Sequence, residues 1–241
     1  MVTRRRLLFS AGSGVLGVAV FSACSSGEPA GPSRSSAGAE AGNQAGDQAG
    51  GWKRVNLSFV SAYLLVRGGE VAIVDLGTDG SAGAIEQGLK AAGSGWDAVR
   101  HVVLTHKHGD HVGGLSGVQP RVKASWYAGE ADVAGIASET ALTAVKDGDE
   151  VFGLQIIGTP GHTAGHVSVF DPSTGTLVAG DALRTNDGLA SSDPKFTADA
   201  GQAAASVKKL AALDVKTILP GHGDPLTDGA ADALRKLAAS L

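Results

Sequence analysis

An α/β or layered α+β domain is the fold class this sequence predicts, and three observations predict it. From residue 52 onward, short apolar runs bounded by Gly and Asp recur along the chain, helical patterns fall between some of them, and no repeat of fixed period is present, which sets solenoids and propellers aside. In chain order, the runs at 56–66, 71–75, 101–105, 154–157, 166–170, 176–178 and 217–219 predict strands, since each is short, apolar and ends at a turn former. Apolar spacing of three and four predicts helices at 82–92, 197–212 and 230–237. Asp171-Pro172-Ser173-Thr174-Gly175, between two strand runs, predicts a hairpin connection. Residues 52–241 therefore form a single folding unit, a size ordinary for one domain.

The residues before that unit have a different character. Residues 1–23 begin with Arg4, Arg5 and Arg6 and continue into an apolar stretch from Leu7 to about Phe21, shorter and richer in Gly than a stable membrane span. This pattern predicts a cleavable export signal. Thr3-Arg4-Arg5-Arg6-Leu7-Leu8 resembles the twin-arginine motif for export of folded proteins, and Phe21-Ser22-Ala23-Cys24 resembles a lipobox. Cys24 would then be lipidated and anchor the mature chain on the outer face of the bacterial cytoplasmic membrane. A plain secretory signal with an incidental cysteine is the alternative. Residues 24–51 are rich in Gly, Ser, Ala and Pro and almost free of large apolar side chains, so they predict a flexible linker.

Composition narrows the partners. The formal net charge is −4, and residues 1–23 carry three arginines and no acid, so the mature chain would be more acidic still. An acidic surface without basic runs argues against a nucleic-acid substrate. The single cysteine excludes an intrachain disulfide framework and thiolate zinc sites.

The chemistry lies in Thr105-His106-Lys107-His108-Gly109-Asp110-His111, where an apolar strand runs into four potential metal ligands within six residues. In extended backbone, positions i and i+2 point the same way, so His106 and His108 can grip one ion together. Gly109 is expected to permit a sharp turn that brings Asp110 and His111 to a second ion, with Lys107 pointing away. His162, Asp181 and His222 each follow an apolar run and a small residue, Gly161, Gly180 and Gly221. Ligands at the ends of successive strands converge on one rim of a sheet. Imidazole mixed with carboxylate suits Zn²⁺, Mn²⁺ or Fe²⁺ over Ca²⁺ or Mg²⁺.

The ordered set H-x-H-x-D-H, then His, Asp and His, resembles the metallo-β-lactamase superfamily across residues 52–241. The resemblance implies an α+β fold of the four-layer αβ/βα type, two packed mixed β-sheets with helices outside. It also implies a binuclear centre: His106, His108 and His162 on the first ion, Asp110, His111 and His222 on the second, and Asp181 bridging. Zn²⁺ is the favoured metal. Asp75, at the end of an earlier strand, matches an aspartate that supports the site by hydrogen bonding. His101 is expected to be structural, and His166 is read as ordinary strand burial ahead of a hydrogen-bonding role near the site.

The activity so implied is hydrolysis of a small-molecule ester, lactone or thioester by a metal-bridging hydroxide, with Asp110 as candidate proton relay to the leaving group. True metallo-β-lactamases generally have Cys or Ser near the position of Asp181. Glyoxalase II enzymes carry a helical glutathione-binding domain after the last histidine, whereas fewer than twenty residues follow His222. Tyr63, Trp126, Tyr127, Asn186 and Asp187 are weak candidates for a pocket lining, each more readily structural. Two other readings keep the metal: a mononuclear iron sulfur dioxygenase, and a non-enzymatic zinc-binding lipoprotein.

Overall fold

The computed structural model describes residues 49–241. The expected export signal, Cys24 and the expected linker before Ala49 lie outside the described residues. Ala49–Gly51, assigned to the linker by composition, form a short 3₁₀ turn that leads into the first strand. No helix among the described residues is long and apolar enough to cross a membrane.

The first sheet contains β1 (Trp52–Leu57), β2 (Val60–Arg67), β3 (Glu70–Val74), β4 (Val99–Leu104), β5 (Ser125–Gly129) and β6 (Thr143–Val145), in that order across the sheet. The first three strands pair antiparallel and the rest parallel. Between β3 and β4 lies α1 (Ala82–Ala91), and between β4 and β5 lie the short helices α2 (Gly109–Val112) and α3 (Leu115–Val118). The second half of the chain supplies β7 (Glu150–Val151), β8 (Leu154–Gly158), β9 (Val167–Asp171), β10 (Thr176–Gly180), β11 (Leu183–Arg184), β12 (Ala190–Ser191), α4 (Ala200–Leu210), β13 (Thr217–Pro220) and α5 (Ala230–Ser240). Its main sheet runs β13-β10-β9-β8-β7, with β13 parallel to β10 and the other pairs antiparallel, while β11 and β12 form a separate ribbon.

Period-two alternation explains the layers. In β2, Tyr63 and Leu65 face the second sheet while Leu64 faces outward, and in β3 Ala72 and Val74 face inward while Val71 and Ile73 face outward. The second sheet alternates likewise, with Ile156, Val178 and Leu219 inward and Ile157, Leu177 and Ile218 outward. Ile85 and Leu89 of α1 with Leu115 and Val118 of α3 cover one outer face, and Val207, Leu210 and Leu234 of α4 and α5 cover the other. The result is the expected four-layer sandwich, two mixed sheets face to face with helices outside.

Several local expectations change. The run at 56–66 is two strands, since the Asn56 side chain accepts a hydrogen bond from the Ser58 amide (3.1 Å) and Ser58 takes φ 77°, turning the chain. No Gly or Pro marks that turn. The strands β5, β6 and β7 were not apparent, because they are short and interrupted by polar residues. The helix expected at 197–212 starts at Ala200, where Asp199 accepts from the Gln202 amide (2.9 Å) as N-cap. Gly109 makes no unusual turn: it opens α2 after the extended His108, and a Cβ there would meet nothing within 4 Å.

At the rim opposite the histidines, Asp171 joins the two halves of the sandwich. Its buried carboxylate accepts from the Trp52 indole (3.3 Å) and the Arg67 guanidinium (3.0 Å), both on the first sheet.

Candidate metal centre

The sequence-marked donors lie on loops, and on the short helix α2, that leave the strands at one rim. His106, His108, Asp110 and His111 follow β4, His162 lies between β8 and β9, Asp181 follows β10, and His222 follows β13. Backbone hydrogen bonds fix these loops to one another: the Val167 amide donates to Thr105 O (2.9 Å), Leu76 to His111 O (2.8 Å) and Gly221 to Gly180 O (2.9 Å).

Two groups of three donors result. His108 Nδ1 lies 3.1 Å from His106 Nε2 and 2.9 Å from His162 Nε2. His222 Nε2 and His111 Nε2 lie 3.3 and 3.8 Å from Asp110 Oδ2. Asp181 faces both groups, with Oδ1 3.2 Å from His111 Nε2 and Oδ2 3.4 Å from His162 Nε2 and 3.2 Å from His222 Nε2. Within each of the sets His106/His108/His162, His106/His111/Asp181 and Asp110/His111/His222, one ligand atom per residue lies within 4.8 Å of the others. These residues could hold metal.

Two buried atoms test that fit. Among the described residues, His111 Nε2 and Asp181 Oδ1 are sealed from solvent and have no hydrogen-bond partner, although they face each other. A buried polar atom left unpaired costs about 1–3 kcal/mol. A cation accepting a lone pair from each removes that cost, and nitrogen with carboxylate oxygen is a donor set suited to a borderline divalent ion.

The far side of the imidazoles is held as well. Asp75, 2% exposed, accepts from the Thr105 amide and hydroxyl (2.7 Å each) and bonds His111 Nδ1 (2.8 Å), turning Nε2 toward Asp181. It adopts φ 61°, which Asp tolerates better than most residues. His162 Nδ1 bonds Ser192 Oγ (2.8 Å), and His222 Nδ1 donates to Phe59 O (2.7 Å). The Tyr63 hydroxyl donates to Pro220 O (2.8 Å), two residues before His222.

His166 departs from its expected role. It is buried just before β9, but its Nε2 accepts from the Asp181 amide (3.0 Å) and its Nδ1 bonds Thr159 Oγ1 (2.8 Å), so it positions the backbone of Asp181. Strand burial and site contact coincide here because β9 and β10 pair beneath the rim. His101 packs against Tyr127 and Phe152, away from the donors. No sequence motif marks Asp132. Fully buried, it accepts from the Lys107 amide (3.1 Å), the Thr163 hydroxyl (2.5 Å) and the Gly165 amide (3.0 Å), tying the loop of His106 and His108 to the loop of His162.

Close approach explains Gly221. A Cβ there would collide with Asp181 Oδ1 and lie 2.8 Å from His111 Cε1. Gly221→Ala is expected to lower metal content and melting temperature together, whereas Gly109→Ala is expected to change neither by more than the roughly 1 kcal/mol of helix propensity at stake. Elemental analysis with thermal melts checks both.

Without metal, the carboxylates hold protons on two ligands. Burial opposes protonation of His111, but Asp181 and Asp75 outweigh it and raise its pKa well above the ordinary value. Burial likewise opposes protonation of His222, and hydrogen bonds to Asp110 and Asp181 bring it to about 10. His162 is pushed down to about 4, chiefly by burial. A metal must displace the protons of His111 and His222, so uptake at pH 7 is expected to release protons. Calorimetry in buffers of differing ionisation enthalpy measures this. The sign in the metal-free chain follows: a raised His222 pKa adds stability below about 6.5, and that stability fades as pH climbs through about 10.

A cavity of about 710 Å³ opens over the donors, walled by Phe59, Arg184, Asn186, Asp187 and Phe196 above His108, Asp110, Asp181 and His222. Asn186 and Asp187 are thus at the cavity, while Tyr63 and Trp126 are core residues and Tyr127 packs against the inter-sheet core.

A four-layer sandwich with a His/Asp cluster on one rim defines a metal-dependent hydrolase class. Residues 55–222 match the family model described as the metallo-beta-lactamase superfamily, and the chain belongs to that superfamily. The chain is 31% identical over 196 residues to YobT of Bacillus subtilis, covering 68% of this chain and 83% of that protein. It is 34% identical over 172 residues to a hydroxyacylglutathione hydrolase of Acidiphilium cryptum, covering 67% of this chain but 63% of that protein. The crystal structure of metallo-beta-lactamase family protein TTHA1429 from Thermus thermophilus superposes with a TM-score of 0.62 at 26% identity, covering 75% of this chain and 74% of that one.

Proposed function

We propose that this chain is a binuclear metal-dependent hydrolase of a small-molecule ester, lactone or thioester. The observation that carries the reading is Asp181, whose two carboxylate oxygens face the two donor groups and whose Oδ1 is otherwise orphaned. Similarity to hydroxyacylglutathione hydrolases supports hydrolysis of an acyl compound. In this reading His106, His108 and His162 hold one ion, Asp110, His111 and His222 the other, and Asp181 joins them. Two such ions, Zn²⁺ by preference and Mn²⁺ or Fe²⁺ otherwise, supply Lewis acidity that activates water and polarises the scissile carbonyl.

The chain's own residues do the rest. Asp75, Ser192 and the Phe59 carbonyl fix the orientation of the three imidazoles they touch. Asp110 is partly exposed at the cavity floor, 3.3 Å from His222, and is placed to pass a proton to a leaving group. We further propose that residues 1–23 export the chain and that lipidated Cys24 tethers residues 52–241 outside the membrane, with a soluble small molecule as substrate and no nucleic acid.

Metal content per chain, followed by turnover of lactones, thioesters, β-lactams and phosphodiesters with and without chelator, tests the reading. Two ions and chelator-sensitive ester, lactone or thioester hydrolysis support it. One tightly held iron with oxygen consumption, or two exchangeable zinc ions with no turnover on any compound, would overturn it.

A further inference from the structure

Among the described residues, three buried carboxylates lie near the metal rim, and of these Asp132 alone bonds no histidine. It sits in the loop between β5 and β6, with its backbone fixed on both sides: its amide donates to Gly129 O (2.8 Å), and its carbonyl accepts from the Gly135 amide (2.8 Å). One carboxylate oxygen accepts from the Lys107 amide and the Thr163 hydroxyl; the other accepts from the Gly165 amide and lies 3.7 Å from the Lys107 ammonium. The carboxylate is thus occupied by the protein itself.

Position is what these partners share. Lys107 lies between His106 and His108, and Thr163 adjoins His162. The two loops come from different sheets, so how closely His108 approaches His162 depends on what ties one loop to the other. Packing reinforces the tie: a Cβ at Gly165 would collide with the Asp132 backbone, and one at Gly135 would lie 2.7 Å from Lys107 Cδ. The other donor group is outside this reach, since no partner of Asp132 adjoins Asp110, His111 or His222 in the chain. Asp75, by contrast, bears on both groups. It bonds His111 Nδ1 directly, and it holds the Thr105 hydroxyl, which lies 3.1 Å from His106 Nδ1.

We propose that Asp132 is the positioning residue of the three-histidine group: it sets the affinity for an ion held by His106, His108 and His162 and leaves that of Asp110, His111 and His222 unaltered. The division between two ions rests on the binuclear reading, whereas a part for Asp132 in the histidine group does not.

Chelator competition for Zn²⁺ on the full-length chain tests this without turnover. Two backgrounds separate the groups, His222→Ala disabling one and His108→Ala the other. Asp132→Asn keeps the volume but turns an NH₂ toward protein donors. It is expected to raise the dissociation constant about 10- to 100-fold in the His222→Ala background, and by less than about 3-fold in the His108→Ala background. Equal losses in both overturn the proposal, because Asp132 would then support the fold as a whole. So does an unchanged affinity in the His222→Ala background. Should Asp132→Asn fail to fold, Thr163→Val decides, since it removes one of the three donors and no charge. A loss of about 3- to 10-fold confined to the His222→Ala background is then expected, and an even or absent loss counts against Asp132. If the wild type holds a single ion that survives His222→Ala and is weakened by Asp132→Asn, the binuclear reading falls and the assignment of Asp132 stands.

Discussion

If the proposed binuclear hydrolase reading holds, an Asp181→Asn variant is expected to bind one ion fewer than the wild type and to hydrolyse the best panel compound of order 10³-fold more slowly. Removing a single preorganised stabilising donor costs about 10² to 10³ in other hydrolases, and Asp181 is placed to serve both donor groups. The amide keeps the size and one acceptor oxygen but presents an NH₂ to His111 or to His162 and His222, where a cation is expected. Elemental analysis on protein purified without added metal, paired with turnover, reads both quantities. A variant that retains two ions and near-normal turnover would remove Asp181 from the centre.

The second large effect is expected at Asp75, and it concerns stability first. Three hydrogen bonds converge on this buried carboxylate, and in the metal-free chain it faces a His111 that holds a proton. Asp75→Ala strands that charge and is expected to cost about 3–5 kcal/mol, the range for breaking a buried ion pair from one side. Asp75→Asn keeps the shape and tolerates the positive φ, so about 1–3 kcal/mol is expected. Both should also weaken metal binding by about 10- to 100-fold, since His111 would lose the partner that aims it. Denaturant melts of metal-free protein and competition with a chelator separate the two losses. Equal stability of Asp75→Ala and wild type would show that the three bonds contribute nothing net.

How much of this was visible beforehand depended on whether the signal was local. The seven donors stood out because four crowd into six residues after an apolar strand, the other three each follow an apolar run and a glycine, and their order is that of the superfamily. The sandwich followed from the resemblance those donors carry, since the short apolar runs alone foretold only an α/β or layered α+β domain. Asp132 and His166 escaped for the opposite reason. Their partners, Lys107, Thr163 and Gly165 for one and Asp181 for the other, are remote in sequence or unremarkable in type, and only the fold brings them together. The turn at Ser58 was missed because an Asn side chain makes it, where Gly or Pro is the usual sign.

The two ends of the sandwich are fastened by different means. At one rim Asp171 clasps Trp52 and Arg67 with bonds made wholly of protein. At the other, His106, His108, Asp110 and His111 come from the first sheet's side, and His162, Asp181 and His222 come from the second's. Any ion shared between them is a removable rivet across the seam. Such an ion would act as a latch opposite a fixed hinge, and chelation is then expected to loosen the edge over the cavity while the far edge stays shut.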